Sequence, residues 1–133
     1  MKCMTSVLIV DDDCDGLDLS RELLEAAGYR IHTGNSGKEG LGSLRSGPLP
    51  DCVLLDVDMP VQTGPEMAHQ MLLHDMGEEK IPVVLVSARS DLAEVAARMG
   101  TPYYLRKASP GFGRELAILV ARALRERKAP ASA

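Results

Sequence analysis

At 133 residues the chain has the size of one domain built around one core, and its 45% apolar and 26% charged content is that of an ordinary globular protein. Aromatics make up only 3% and Trp is absent, so the core has to be aliphatic. A formal net charge of −4 gives no basic footprint for nucleic acid, and no apolar run approaches the length of a membrane span.

Short apolar runs alternate with longer amphipathic stretches along the chain. The opening MKCMTSVLIVDDD has a short apolar run closed by carboxylates and no small-residue cleavage site, so it is read as a first strand over 6–10 and not as a signal peptide. A helix follows, with Leu17, Leu24 and Ala27 as its apolar stripe and Gly28 as its stop. The second strand is expected over 29–33. Ser36 with Glu39 fits a capping box for a second helix. The third strand is expected over 52–55, and a third helix is opened by Thr63 with Glu66, Pro65 lying in its first turn. The fourth strand covers 81–86, and Leu92, Val95, Ala96 and Met99 stripe the helix before Gly100. The fifth strand covers 103–106. Ser109 and Pro110 open the last helix, whose buried face is Leu116, Leu119, Ala123 and Leu124, and Gly111 and Gly113 weaken its first turn. Residues 1–128 are expected to form the domain, and 129–133 a disordered tail.

Five strand–helix units with short connections predict an α/β fold, a parallel sheet with helices on both faces. The runs VLIV and VVLV suit strands covered on both sides. Cys3, Cys14 and Cys52 are odd in number, lack metal-ligand spacing and read as cytosolic thiols. His32, His69 and His74 are scattered and read as surface residues.

In such sheets ligands bind beyond the carboxyl ends of the strands. Asp11, Asp12 and Asp13 follow the first strand, Asp56 and Asp58 the third, Ser87 the fourth and Lys107 the fifth. Any one of these residues, taken alone, is more often structural, because Asp caps helices and makes turns. Together they place five carboxylates at one rim, where they repel each other unless a cation intervenes. Lys107 alone does not offset them; Mg²⁺, a hard ion that takes oxygen ligands, does. A carboxylate beside such an ion is a nucleophile toward phosphorus, and a lysine and a hydroxyl are suited to the oxygens of the transferred group. No Ser–His–Asp order, Gly-rich phosphate loop or Cys–His pair stands out.

The segments VLIVDDD, VLLDVDMP followed by Gly64, VVLVSA and YYLRKA resemble, in order and spacing, the signature segments of response-regulator receiver domains, across nearly the whole chain. The resemblance implies a flavodoxin-like, doubly wound sheet of five parallel strands in the order 2-1-3-4-5 with five helices. It implies that Asp11 and Asp12 bind Mg²⁺ (or Mn²⁺) and that Asp56 is the phosphoacceptor. The backbone carbonyl of Asp58 would complete the metal's protein ligands, Ser87 would be the switch hydroxyl, Lys107 would pair with the phosphoryl group, and Tyr104 would be the aromatic that swings inward. The implied partners are a sensor histidine kinase or phosphotransfer protein and a downstream protein, in the cytoplasm, with no direct nucleic-acid or membrane contact. The implied activity is that of a switch, not an enzyme, with at most weak self-phosphorylation and autodephosphorylation. Phosphorylation would act through the fourth helix, fifth strand and fifth helix, where Arg98, Arg106, Arg114, Arg122 and Arg125 give positive character. The end shortly after the last helix, with the start and tail, reads as a stand-alone protein.

Three positions stand out against the family pattern. Ala108 follows the lysine where proline is usual, so a cis bond is not expected there. Position 58 is acidic and Arg89 lies two residues past the switch serine; the two either pair across the pocket mouth and impede attacking water, or stand as solvated side chains worth little to each other. The competing readings are a degenerate receiver that binds partners without being phosphorylated, a haloacid-dehalogenase-type phosphatase suggested by LLDVD, and a flavin-binding protein. The second is disfavoured because the acidic cluster precedes that motif, and the third because three aspartates after the first strand repel a phosphate.

Overall fold

The computed structural model describes residues 5–11, 13–34, 50–56, 81–99, 101–107 and 110–128. Five strands, β1 (Ser6–Val10), β2 (Arg30–Gly34), β3 (Cys52–Asp56), β4 (Val83–Ser87) and β5 (Tyr104–Arg106), form one sheet in the order β2-β1-β3-β4-β5. Every neighbouring pair is parallel. Three helices are described: α1 (Cys14–Ala26), α2 (Leu92–Met99) and α3 (Phe112–Lys128). The helices expected between β2 and β3 and between β3 and β4, with their capping boxes, lie outside the described residues, as does the tail.

Alternation along the strands divides the core into two layers. Leu8 and Val10 of β1, Val53 and Leu55 of β3 and Leu85 of β4 pack with Leu92, Val95 and Ala96 of α2. Val7, Ile9, Cys52, Leu54, Val84 and Val86 pack on the other face with Leu17 and Leu24 of α1 and with Leu116, Val120, Ala123 and Leu124 of α3. Both faces of the central strands are therefore covered, which is why their sequences are continuously apolar. Each fully buried Leu or Val contributes roughly 1.5–3 kcal/mol. The edge strand β2 is mostly exposed, consistent with its polar residues Arg30, His32 and Thr33.

Helix α1 ends as its sequence predicts. Gly28 has φ 100, and the amides of Gly28 and Tyr29 donate to the carbonyls of Glu25 and Leu24 at 3.0 and 3.1 Å, a Schellman ending. The expected apolar stripe is shorter than predicted, since Ala27 is exposed and the buried face of α1 is completed by Ser20. Helix α3 begins at Phe112, after Gly111 with φ 74. Val120 joins its buried face, with Leu119 only partly buried.

Candidate functional site

Two site residues stand inside the strand ladder, where the sequence placed them just beyond it. β3 runs through Asp56, which pairs with Val86, and β4 runs through Ser87, which pairs with Arg106. Asp11 follows β1 directly and its amide still donates to the Gly34 carbonyl at 3.1 Å. Lys107 follows β5, its amide donating to the Ser87 carbonyl at 2.9 Å. Main-chain pairing thus fixes four of the predicted side chains at one rim of the sheet.

Those side chains meet. Lys107 Nζ donates to Asp11 Oδ2 at 2.8 Å and lies 3.6 Å from Asp56 Oδ2. Asp11 and Asp56 are nearly buried, at 5% and 7% exposed. Burial pulls the Lys107 ammonium toward deprotonation, but the hydrogen bond and charge of Asp11, with Asp56 and Asp13 behind it, outweigh that and hold its pKa above the ordinary value. Lys107 therefore stays charged. Among the described residues, the two carboxylates and the ammonium put oxygen donors and a positive charge side by side at low exposure.

The remaining contacts orient these groups. Asp11 Oδ1 accepts from the Asp13 amide at 2.9 Å, and Asp13 in turn caps α1, accepting from the Asp15 amide. Ser87 is buried, and its Oγ accepts from the Arg89 amide at 3.1 Å, which leaves its own proton to donate. Arg89 grips Asp91 with two hydrogen bonds of 2.8 and 2.9 Å, and this bond holds the Asp91 carboxyl below the usual carboxylate range. The Asp91 carbonyl accepts from the Glu94 and Val95 amides in the first turn of α2. Asp12, Asp58 and Ala108 lie outside the described residues, so a pairing of Asp58 with Arg89 does too. Among the described residues no group of three or more His, Cys, Asp or Glu is placed to hold a metal ion, with two of the expected ligand positions, 12 and 58, outside that set.

The tyrosines separate as strand alternation requires. Tyr104 is 42% exposed, while Tyr103 is 8% exposed and packs with α1 and α3. The Tyr103 hydroxyl donates to Glu126 of α3, and Arg122 both pairs with Glu126 at 3.2 Å and lies over the Tyr103 ring at 5.9 Å. Burial and the Glu126 carboxylate push the Tyr103 pKa up to about 12. Sequence reading did not find this cluster, because Tyr103 and Glu126 are 23 residues apart and only the packing of α3 against β5 joins them. Arg98, Arg106, Arg114, Arg122 and Arg125 are all exposed. Among the described residues no helix is long and apolar enough to cross a membrane.

Residues 7–111 match the family model of the response regulator receiver domain. The chain is 32% identical to the phosphoglycerate transport system transcriptional regulatory protein PgtA of Salmonella typhimurium over 92% of its own length and 29% of that protein's. It is 32% identical to the response regulator SaeR of Staphylococcus aureus over 88% of its length and 49% of SaeR's. The chain thus spans half or less of the length of these curated relatives. Among solved structures, the chemotaxis response regulator CheY4 of Vibrio cholerae superposes with a TM-score of 0.80 at 24% identity, covering 91% of this chain and 99% of that one. A receiver domain from Clostridium thermocellum does so with a TM-score of 0.81 at 26% identity, covering 94% and 98%.

Proposed function

The chain belongs to the response regulator receiver domain family, and from that membership we propose that it is a phosphorylation-dependent signalling switch whose phosphoacceptor is Asp56. The observation that carries this reading is the 2.8 and 3.6 Å approach of Lys107 Nζ to Asp11 and Asp56 at one rim of the sheet. It gathers a nucleophilic carboxylate, a fixed positive charge and a second carboxylate from three different strand ends.

An Asp56 carboxylate oxygen attacks the phosphorus of a phosphohistidine on a sensor histidine kinase or phosphotransfer protein. The P–N bond breaks, the imidazole leaves with its electron pair, and an acyl phosphate remains on Asp56. Lys107, already held charged between Asp11 and Asp56, neutralises an oxygen of the incoming group. The Ser87 hydroxyl, which accepts from the Arg89 amide, donates a hydrogen bond to another oxygen of that group and keeps its proton. The oxygen donors at this rim fit Mg²⁺ or Mn²⁺, which Asp11, Asp12, Asp56 and the Asp58 carbonyl would hold; bound there, the ion would neutralise developing negative charge on the phosphoryl oxygens. The domain is a phosphoacceptor and not a turnover enzyme, with weak self-phosphorylation and autodephosphorylation at most.

The added group brings roughly −1.5 to −2 charges and three acceptors. Drawn toward it, Ser87 vacates space into which Tyr104, exposed on β5, turns. The face formed by α2, β5 and α3 then changes its affinity for a downstream protein, through the difference in stability between two packings. The switch works in the cytoplasm, and partner proteins, not nucleic acid or membrane, read it.

Incubation with acetyl phosphate and Mg²⁺, followed by intact-mass measurement, tests the reading. Wild type gains one phosphoryl adduct and Asp56→Asn gains none. No adduct on wild type, with no Mg²⁺ binding by calorimetry, would make the domain a binding module that is never phosphorylated. Steady hydrolysis of a phosphoester would make it a phosphatase.

A further inference from the structure

Gly16 is the third residue of α1, a place where glycine weakens a helix relative to alanine. Its φ is not in the left-handed region, which among the described glycines is occupied by Gly28 and Gly111, so the backbone itself does not call for glycine. A Cβ at this position would lie 3.2 Å from Asp13 Oδ2 and 3.3 Å from Asp11 Oδ2, tighter than ordinary van der Waals contact.

The two neighbours differ in how far they can yield. Asp13 is exposed, and its carboxylate can rotate into solvent at the cost of a weak 3.3 Å cap. Asp11 is nearly buried and is held at both oxygens, Oδ1 by the Asp13 amide and Oδ2 by Lys107. The oxygen that a Cβ would press is the one that accepts the Lys107 ammonium. A side chain at position 16 therefore displaces the Asp11–Lys107 pair, or rises against it, by a few tenths of an ångström.

We infer that Gly16 is a positioning residue for the Asp56 site: its missing side chain is the space in which Asp11 holds Lys107. The inference rests on the phosphoacceptor reading for its consequence, but not for its geometry. Helix propensity and site geometry pull in opposite directions at this residue, so stability and phosphorylation should move oppositely when it is changed.

The test is Gly16→Ala in the full chain, measured three ways. Thermal unfolding of the Mg²⁺-free protein should show a midpoint raised by about 4 °C, from the gain in helix propensity. The rate of acetyl phosphate labelling at saturating Mg²⁺ should fall on the order of tenfold, the scale of a sub-ångström misplacement. A crystal structure of the variant should show the Lys107 Nζ–Asp11 Oδ2 bond lengthened or broken. An unchanged labelling rate overturns the inference, and so does an unchanged bond. A lowered unfolding midpoint also overturns it, because stability and phosphorylation would then fall together instead of moving oppositely. If wild type itself takes no label, the phosphoacceptor reading fails, while the midpoint and the bond still decide the role of Gly16.

Discussion

Two clusters in this molecule join charged side chains, one nearly buried and one at the surface, and they are built differently. At the strand-end rim, Asp11 and Asp56 both approach Lys107 among the described residues. Just before β5, Tyr103 donates to Glu126, which Arg122 neutralises. The second cluster is satisfied and its charged members reach solvent, so it fastens α3 to the sheet. The first holds like charges together at low exposure, which costs folding energy that a structural role would not require.

Removing a carboxylate is the most severe way to break this contrast. Asp56→Asn should abolish phosphoryl labelling and also raise stability by about 1 kcal/mol, since one of two like charges is gone; urea unfolding beside intact-mass measurement checks both signs. A loss of stability would mean that the rim is built for folding. Removing the counter-charge should do the reverse. Lys107→Ala leaves two nearly buried carboxylates facing each other and should lower stability by about 2 kcal/mol, less than a fully buried pair because Lys107 is partly exposed, with labelling slowed at least tenfold.

The balanced cluster should respond more mildly. Tyr103→Phe keeps the ring and loses one hydrogen bond, which should cost about 1 kcal/mol at neutral pH and leave the labelling rate unchanged. Its pH dependence has a definite sign. The folded pKa, about 12, lies above the ordinary 10.0, so the folded state holds the phenol proton more tightly. That contribution is fully present below pH 10 and is lost as pH rises through about 12. Wild-type stability should therefore fall more steeply than that of Tyr103→Phe over this window, in paired urea titrations. Parallel curves would mean that the hydroxyl is not held by Glu126. The smallest effect is expected at the exposed Arg89–Asp91 pair. Asp91→Ala should leave the unfolding midpoint unchanged, since solvent screens such pairs, and the release of Arg89 can then be followed in the lifetime of the phosphoryl group.

Much of the site was legible because its residues sit at strand ends. A strand end is readable from hydrophobic runs, and in a parallel sheet all such ends that carry ligands share one rim. Asp11, Asp56, Ser87 and Lys107 were found in this way. Their exact positions were less legible: β3 and β4 extend through Asp56 and Ser87 because the ladder continues wherever neighbours supply amides and carbonyls, whatever the side chain. Tyr104 was separated from Tyr103 by resemblance alone, and only exposure and the bond to Glu126 tell the two apart in space.

The sequence by itself determined the layered parallel sheet, its two apolar layers and the acidic rim, since all three follow from local periodicity and from which residue types end each run. Tertiary structure alone decided which carboxylates Lys107 reaches, that Tyr103 is tied to α3, and that Gly16 lies against Asp11. These are contacts between segments distant in sequence, or between a helix turn and the loop that enters it. They depend on distances of a few ångströms that periodicity does not encode.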